Sequence, residues 1–183
     1  MINRIFSRTL VAIAAISAGI WSLSEGESKE PLTGRIMKAG VYTLADSGKK
    51  MSEGGSATGY VTEGGRAFQS ATTNVVLAKG TAFGFDFRID GAPTDRPVRL
   101  THLITHPKMT RPDGTVLEKQ TFDRDVSSSQ GTISGSLWYT LREDFELVPG
   151  KWSLSVLQGT TVLVEKKFTV LAPQADTNTG KVK

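Results

Sequence analysis

The chain has 183 residues, no cysteine and a formal net charge of +4. That length suffices for one domain with a core of its own, and the missing cysteines exclude disulfides, a lipid-modified N-terminal cysteine and thiolate metal sites. Lys and Arg nowhere gather into a patch with interleaved aromatics, so nucleic acid is not an expected partner.

Arg4 and Arg8 precede an apolar run from Leu10 to Trp21, and Ser22-Leu23-Ser24 offers small residues for processing. This pattern reads as a signal peptide over residues 1–24 and implies a periplasmic or secreted protein. The alternatives are a cut after Gly19 or an uncleaved anchor in the inner membrane. The apolar run is short of the ~20 residues a spanning helix needs. No other membrane association is expected. Losing the two arginines with that segment lowers the net charge to +2, so the high pI carries little information.

Residues 25–35 read as a polar leader, and Ile36 to Leu44 as a first strand. Residues 46–74 hold Gly54-Gly55, Gly59 and Gly64-Gly65 among Ser, Thr and Glu, which reads as a long mobile loop. Strand signal then becomes dense. Asn74 to Ala78 is a short apolar run. Phe83, Phe85, Phe87 and Ile89 alternate with small or charged residues, the mark of a half-buried strand. Val98, Leu100 and Ile104 follow, with Pro107 as the expected stop. Arg111-Pro112-Asp113-Gly114 reads as a turn, Val116 to Phe122 as an edge strand. Ile133, Leu137, Tyr139 and Leu141 alternate through another strand. Pro149-Gly150 sets up the last hairpin, in which Trp152, Leu154 and Val156 face Val162, Val164, Phe168 and Val170. Residues 172–183 have nothing to bury and read as a disordered tail.

Seven or eight short strands without an amphipathic helix predict an all-β, immunoglobulin-like antiparallel sandwich over residues 36–171. A closed barrel is the competing architecture.

The order and spacing of several segments resemble a known family. They are Thr58-Gly59-Tyr60, Thr72-Thr73, Gly80-Thr81-Ala82-Phe83-Gly84-Phe85, Ile89-Asp90-Gly91-Ala92-Pro93, Pro107, Pro112-Asp113-Gly114, and Glu146-Leu147-Val148-Pro149-Gly150-Lys151-Trp152 with Phe168-Thr169-Val170. The chain resembles the bacterial domain-of-unknown-function family numbered 3859, over roughly residues 36–171. Gly84, Pro149, Gly150, Trp152 and Phe168 are its structural signature here. Leu137-Trp138-Tyr139 sits where such members carry an aromatic segment, whereas Ser127 to Gly131 is a local variation. The resemblance implies a fold and a bacterial source; it assigns no activity and no site.

Chemistry is sparse. His102 and His106 share a strand with backbones about 13 Å apart. Two ligands of one zinc lie within about 2.1 Å of the metal, so no metal site is expected. No Gly-x-Ser-x-Gly elbow is present, Ser134-Gly135-Ser136 reads as strand, and no acidic loop has calcium spacing. The expected cofactor set is empty. Trp138 falls on the opposite phase from Leu137 and Tyr139, beside Ser136 and Thr140, so it is expected on the polar face. It and Tyr60 are the candidate binding residues. These features favour a non-enzymatic binding or assembly module of the cell envelope, with an envelope protein as partner. The alternatives are an enzyme acting on envelope glycan or peptide with acidic residues of 123–146, and a carbohydrate-binding module.

Overall fold

A computed structural model describes residues 31–44, 50–62 and 66–173. The expected signal peptide, most of the leader and nearly all of the C-terminal tail therefore lie outside the described residues.

Alternation of apolar and polar residues builds eleven strands among those described. They are β1 (Thr33–Leu44), β2 (Lys50–Ser52), β3 (Tyr60–Thr62), β4 (Arg66–Ser70), β5 (Asn74–Val76), β6 (Ala82–Asp90), β7 (Val98–Thr110), β8 (Val116–Val126), β9 (Thr132–Thr140), β10 (Gly150–Gln158) and β11 (Thr161–Leu171). A single 3₁₀ turn, Asp144–Glu146, joins β9 to β10. One sheet runs β4-β1-β6-β9 and the other β5-β11-β10-β7-β8, while β2 and β3 form a separate ribbon. Neither sheet closes on itself, so the expected immunoglobulin-like sandwich is found and the barrel is not. All pairings are antiparallel except β5 with β11.

The two sheets meet through the residues whose alternation marks their inward faces. Phe83, Phe85, Phe87 and Ile89 of β6 are buried, as are Trp152, Leu154 and Val156 of β10. Trp152 pairs across the hairpin with Phe168. Phe83 packs edge-on against Trp152 at 5.4 Å between ring centroids and lies 5.2 Å from Phe168. Such aromatic pairs add about 0.5–1.5 kcal/mol each beyond the area they bury. This cluster knits the central strands of the two sheets together.

Two signature glycines are explained by close approach. A Cβ on Gly84 would fall 2.2 Å from the carbonyl oxygen of Leu137 and 2.5 Å from the Cα of Trp138. Only glycine lets β6 pair there with β9. Gly150 has φ +134°, and a Cβ on it would meet Pro107 at 2.7 Å, so Pro149-Gly150 turns the chain into β10 against the middle of β7.

Several boundaries depart from the sequence expectation. β1 starts at Thr33, inside the segment read as leader. The 46–74 segment is not a bare loop: it supplies β2, β3 and the edge strand β4, because β1 offers an unpaired edge to Arg66–Ser70. Pro107 does not stop β7, which runs to Thr110 past an irregular register between Thr105 and Met109; the missing N–H is absorbed at that bulge. Val162 is 54% exposed rather than inward. A register shift after Val156 pairs Leu157 with Val162 and turns that valine out.

Candidate functional site

The sandwich opens between the edge strand β9 of one sheet and the β7–β8 pair of the other. A pocket of about 240 Å³ lies there. Its walls come from His102 and Ile104 of β7, Gln120, Phe122 and Arg124 of β8, and Ser136 to Thr140 of β9. Ser56, Thr58 and Tyr60 cover one side, and Arg142 and Glu146 close the far end.

Local folding places each group. Gln120 shares the inward phase of β8 with Phe122, and is buried. Its Oε1 accepts a hydrogen bond from the Ala57 backbone at 2.7 Å. Arg111, at the β7–β8 turn, donates to the carbonyls of Ala57 at 2.6 Å and Ser56 at 2.8 Å. Arg124 pairs with Glu53. These bonds strap residues 53–60 over the mouth of the sandwich.

Glu146 is only 1% exposed, yet it carries a carboxylate. It accepts the Tyr139 hydroxyl proton on one oxygen, and on the other the backbone N–H groups of Arg142 at 2.7 Å and Glu143 at 2.8 Å. Those donors satisfy a charge that burial would otherwise make expensive. Burial and the neighbouring carboxylate push the Tyr139 hydroxyl well above its usual pKa. Tyr139 therefore serves here as a donor.

Other polar atoms at the pocket are not satisfied. Gln120 Nε2, Thr140 Oγ1 and His102 Nε2 are buried without a hydrogen-bond partner. A side-chain hydrogen bond from Gln120 tempers the rise of the Tyr139 pKa, yet Gln120 Nε2 is left without a partner of good geometry. His102 stands edge-on to Phe87 at 6.1 Å and Phe122 at 6.5 Å. Burial, and then the charge of Arg124, lower its pKa to about 4, so the ring is neutral near pH 7. Buried groups without partners cost about 1–3 kcal/mol each, which a ligand offering acceptors would recover.

Trp138 and Tyr60 line this same pocket, although they are far apart in sequence. Trp138 does lie off the core phase, but it is half-buried rather than freely exposed. Arg66 of β4 crosses the outer sheet face and lies 5.5 Å over the Trp138 ring and 5.2 Å over Tyr42. Arg66 also binds Asp86 and Ser136, and the Ser136 hydroxyl donates to Asp86 at 2.7 Å. Tyr60 has Lys50 at 4.3 Å over its ring and donates to Glu143 at 3.4 Å.

The remaining candidates are not brought together. His106 faces Trp152 at 5.0 Å, and its Nδ1 meets the Pro107 carbonyl at 2.8 Å. The acidic residues of 123–146 scatter. Asp123 binds Arg99 and Thr101, Asp125 lies 3.8 Å from Arg99, Asp144 pairs with Lys79, and of these only Glu146 enters the pocket. The enzyme reading required two carboxylates converging in one concavity: Glu143 and Asp144 do line a second, more open hollow beside Asp113, where Asp144 pairs with Lys79, while Glu146 lies in the first.

Gln120 and the strap residues other than Tyr60 escaped the sequence reading, and Thr140 entered it only as a neighbour of Trp138. A polar Gln on the inward phase of a strand was the available signal for the first. The strap carried none, because its partners lie more than fifty residues away.

A family model described as a domain of unknown function (DUF3859) matches residues 31–170. The chain belongs to the DUF3859 family. This DUF3859 chain is similar to an immunoglobulin-like protein from Pseudomonas aeruginosa, known from a crystal structure, with 26% identity and a TM-score of 0.50. That match covers 79% of this chain and 99% of the other. The alkylpurine DNA glycosylase AlkC of Pseudomonas fluorescens, bound to DNA containing an abasic site analog, aligns at 14% identity and a TM-score of 0.32. It covers 54% of this chain and 27% of that one, too weak a likeness to bear on the DUF3859 domain. No curated protein matches the sequence.

Proposed function

We propose that this DUF3859 protein is a non-enzymatic binding module of the bacterial cell envelope, taking its partner at the pocket between β9 and the β7–β8 pair. The observation that carries this reading is the coincidence of two aromatics, Trp138 and Tyr60, with buried polar atoms of Gln120, Thr140 and His102 that lack partners. Aromatic rims around partly unsatisfied polar floors suit recognition better than stability. The basic, then apolar N-terminal sequence supports export, and an envelope protein is the favoured partner. A glycan is the second reading, favoured by the same two rings beside amide and hydroxyl donors.

The test is crosslinking of the tagged full chain in the native envelope. Defined protein partners recovered with wild type, and lost with Trp138→Ala and Tyr60→Ala, are the expected result. Retention on purified envelope glycan without protein partners transfers the assignment to the second reading. Fractionation of the full chain to the cytoplasm removes the envelope part of the proposal.

A further inference from the structure

The two sheets have four edge strands among the described residues: β4, β9, β5 and β8. Open edges invite other strands, and proteins blunt them with shortness or charge. β5 has three residues and β4 five, beginning with Arg66. β8 is long, but it carries Glu118, Lys119, Asp123, Arg124 and Asp125. β9 is different. It has nine residues, Thr-Ile-Ser-Gly-Ser-Leu-Trp-Tyr-Thr, with neither a charge nor a proline. It pairs with β6 along its whole length on one side. On the other side, no backbone hydrogen bond from another described segment reaches it between Ile133 and Thr140.

The same strand forms one wall of the pocket, from Ser136 to Thr140. The unprotected edge and the unsatisfied polar atoms are therefore side by side. A strand laid along β9 would place alternate side chains toward the pocket, because side chains alternate along a strand with period two.

We infer that the ligand is an extended peptide segment of a partner protein, which adds as a strand to the free edge of β9 and inserts a side chain carrying hydrogen-bond acceptors into the pocket. This deepens the binding-module reading and rests on it. Main-chain bonds to β9 supply affinity, as in other cases of strand addition. The pocket supplies selectivity: Gln120 Nε2 and the Thr140 hydroxyl are donors without acceptors, buried at 3% and 7% residue exposure. An Asp, Glu, Asn or Gln side chain provides such acceptors; an aliphatic one leaves the donors stranded.

The test uses the full chain and a peptide selected against it from a displayed library of random 12-residue sequences (about the length of β9 with overhangs). The selected peptide is then resynthesised with N-methyl groups on alternate residues. Methylation of one alternate set, not the other, is expected to weaken binding by about tenfold or more, because only one set of N–H groups faces β9. Hydrogen exchange of the β9 amides slows on binding. Ser134→Lys, an exposed position that leaves the core untouched, weakens binding comparably. Replacing the acceptor-bearing peptide residue with leucine does the same.

Binding that tolerates both methylation patterns yet is lost with Gln120→Leu overturns strand addition while leaving the pocket reading intact. Failure to select any peptide, with glycan retained by the same preparation, also overturns it. Loss of every kind of binding removes the parent reading as well. Sedimentation that reveals a dimer abolished by Ser134→Lys makes a second copy of this chain the occupant, and overturns the hetero-partner.

Discussion

His102 sits where a positive charge is costly, between the rings of Phe87 and Phe122 and within reach of Arg124. Its pKa falls from 6.5 to about 4 on folding. In that interval the unfolded chain binds the proton and the folded chain refuses it, so stability drops as pH falls from about 6.5 toward 4. The loss is on the order of 3 kcal/mol. His106 acts in the same direction, burial lowering its pKa against partial compensation by the Pro107 carbonyl and Glu146. The lowered carboxylates Asp90, Asp113 and Asp123 respond below 3.8 and do not confuse the window. Urea denaturation at pH 7 and at pH 4.5 checks this: wild type should weaken, and His102→Phe should weaken much less. An unchanged pH dependence in His102→Phe would place the titrating group elsewhere. Part of this was visible in sequence, since a histidine among alternating apolar residues of a strand is expected to be half-buried. Its partners were not, because Phe87 and Phe122 come from other strands.

At the scale of elements, the ribbon and its strap show how a segment poor in apolar residues becomes ordered. Ala57 is 1% exposed, although its neighbours are Ser, Thr and Gly. It is held by Gln120 and Arg111, not by a hydrophobic pattern. Arg111→Ala should therefore release the strap without unfolding the sandwich. We expect faster amide exchange at Ala57 and Gly59 and a global loss of about 1–2 kcal/mol. Exchange mass spectrometry with a denaturation curve measures both. Unchanged exchange at the strap would show that the ribbon β2–β3 holds it instead. Low apolar content gave no sign of this packing because long-range polar anchors leave no local periodicity. The same reasoning explains Arg66, whose long side chain ties the edge strand β4 across the outer face to Asp86 and Ser136.

For the whole molecule, the two informative tryptophans divide between core and site. Trp152 touches Phe83, Tyr139 and His106 at the junction of the sheets and is 1% exposed. Trp152→Ala should cost about 3–5 kcal/mol, a large share of a domain's typical 5–15 kcal/mol. Trp138→Ala, at a half-buried ring with Arg66 over it, should cost about 1 kcal/mol. Chemical denaturation of both variants gives the comparison, and equal losses would place Trp138 in the structural core after all. The family match over residues 31–170 and the immunoglobulin-like neighbour agree with the architecture that alternation foretold.

What the sequence by itself determined is local. Period-two alternation chose strand over helix and told inward from outward for Phe83 to Ile89, Ile133 to Leu141 and Trp152 to Val156, because each side chain's direction follows from its own backbone. The turn at Asp113-Gly114 was equally legible, since glycine's permitted φ is a property of one residue. Only the tertiary structure decided which strands became edges, that Trp138 and Tyr60 line one pocket, and that Gln120, Thr140 and His102 share it with a buried Glu146. Strand pairing depends on contacts between distant segments, and alternation is the same whichever neighbour a strand acquires. The candidate site exists only where those neighbours end.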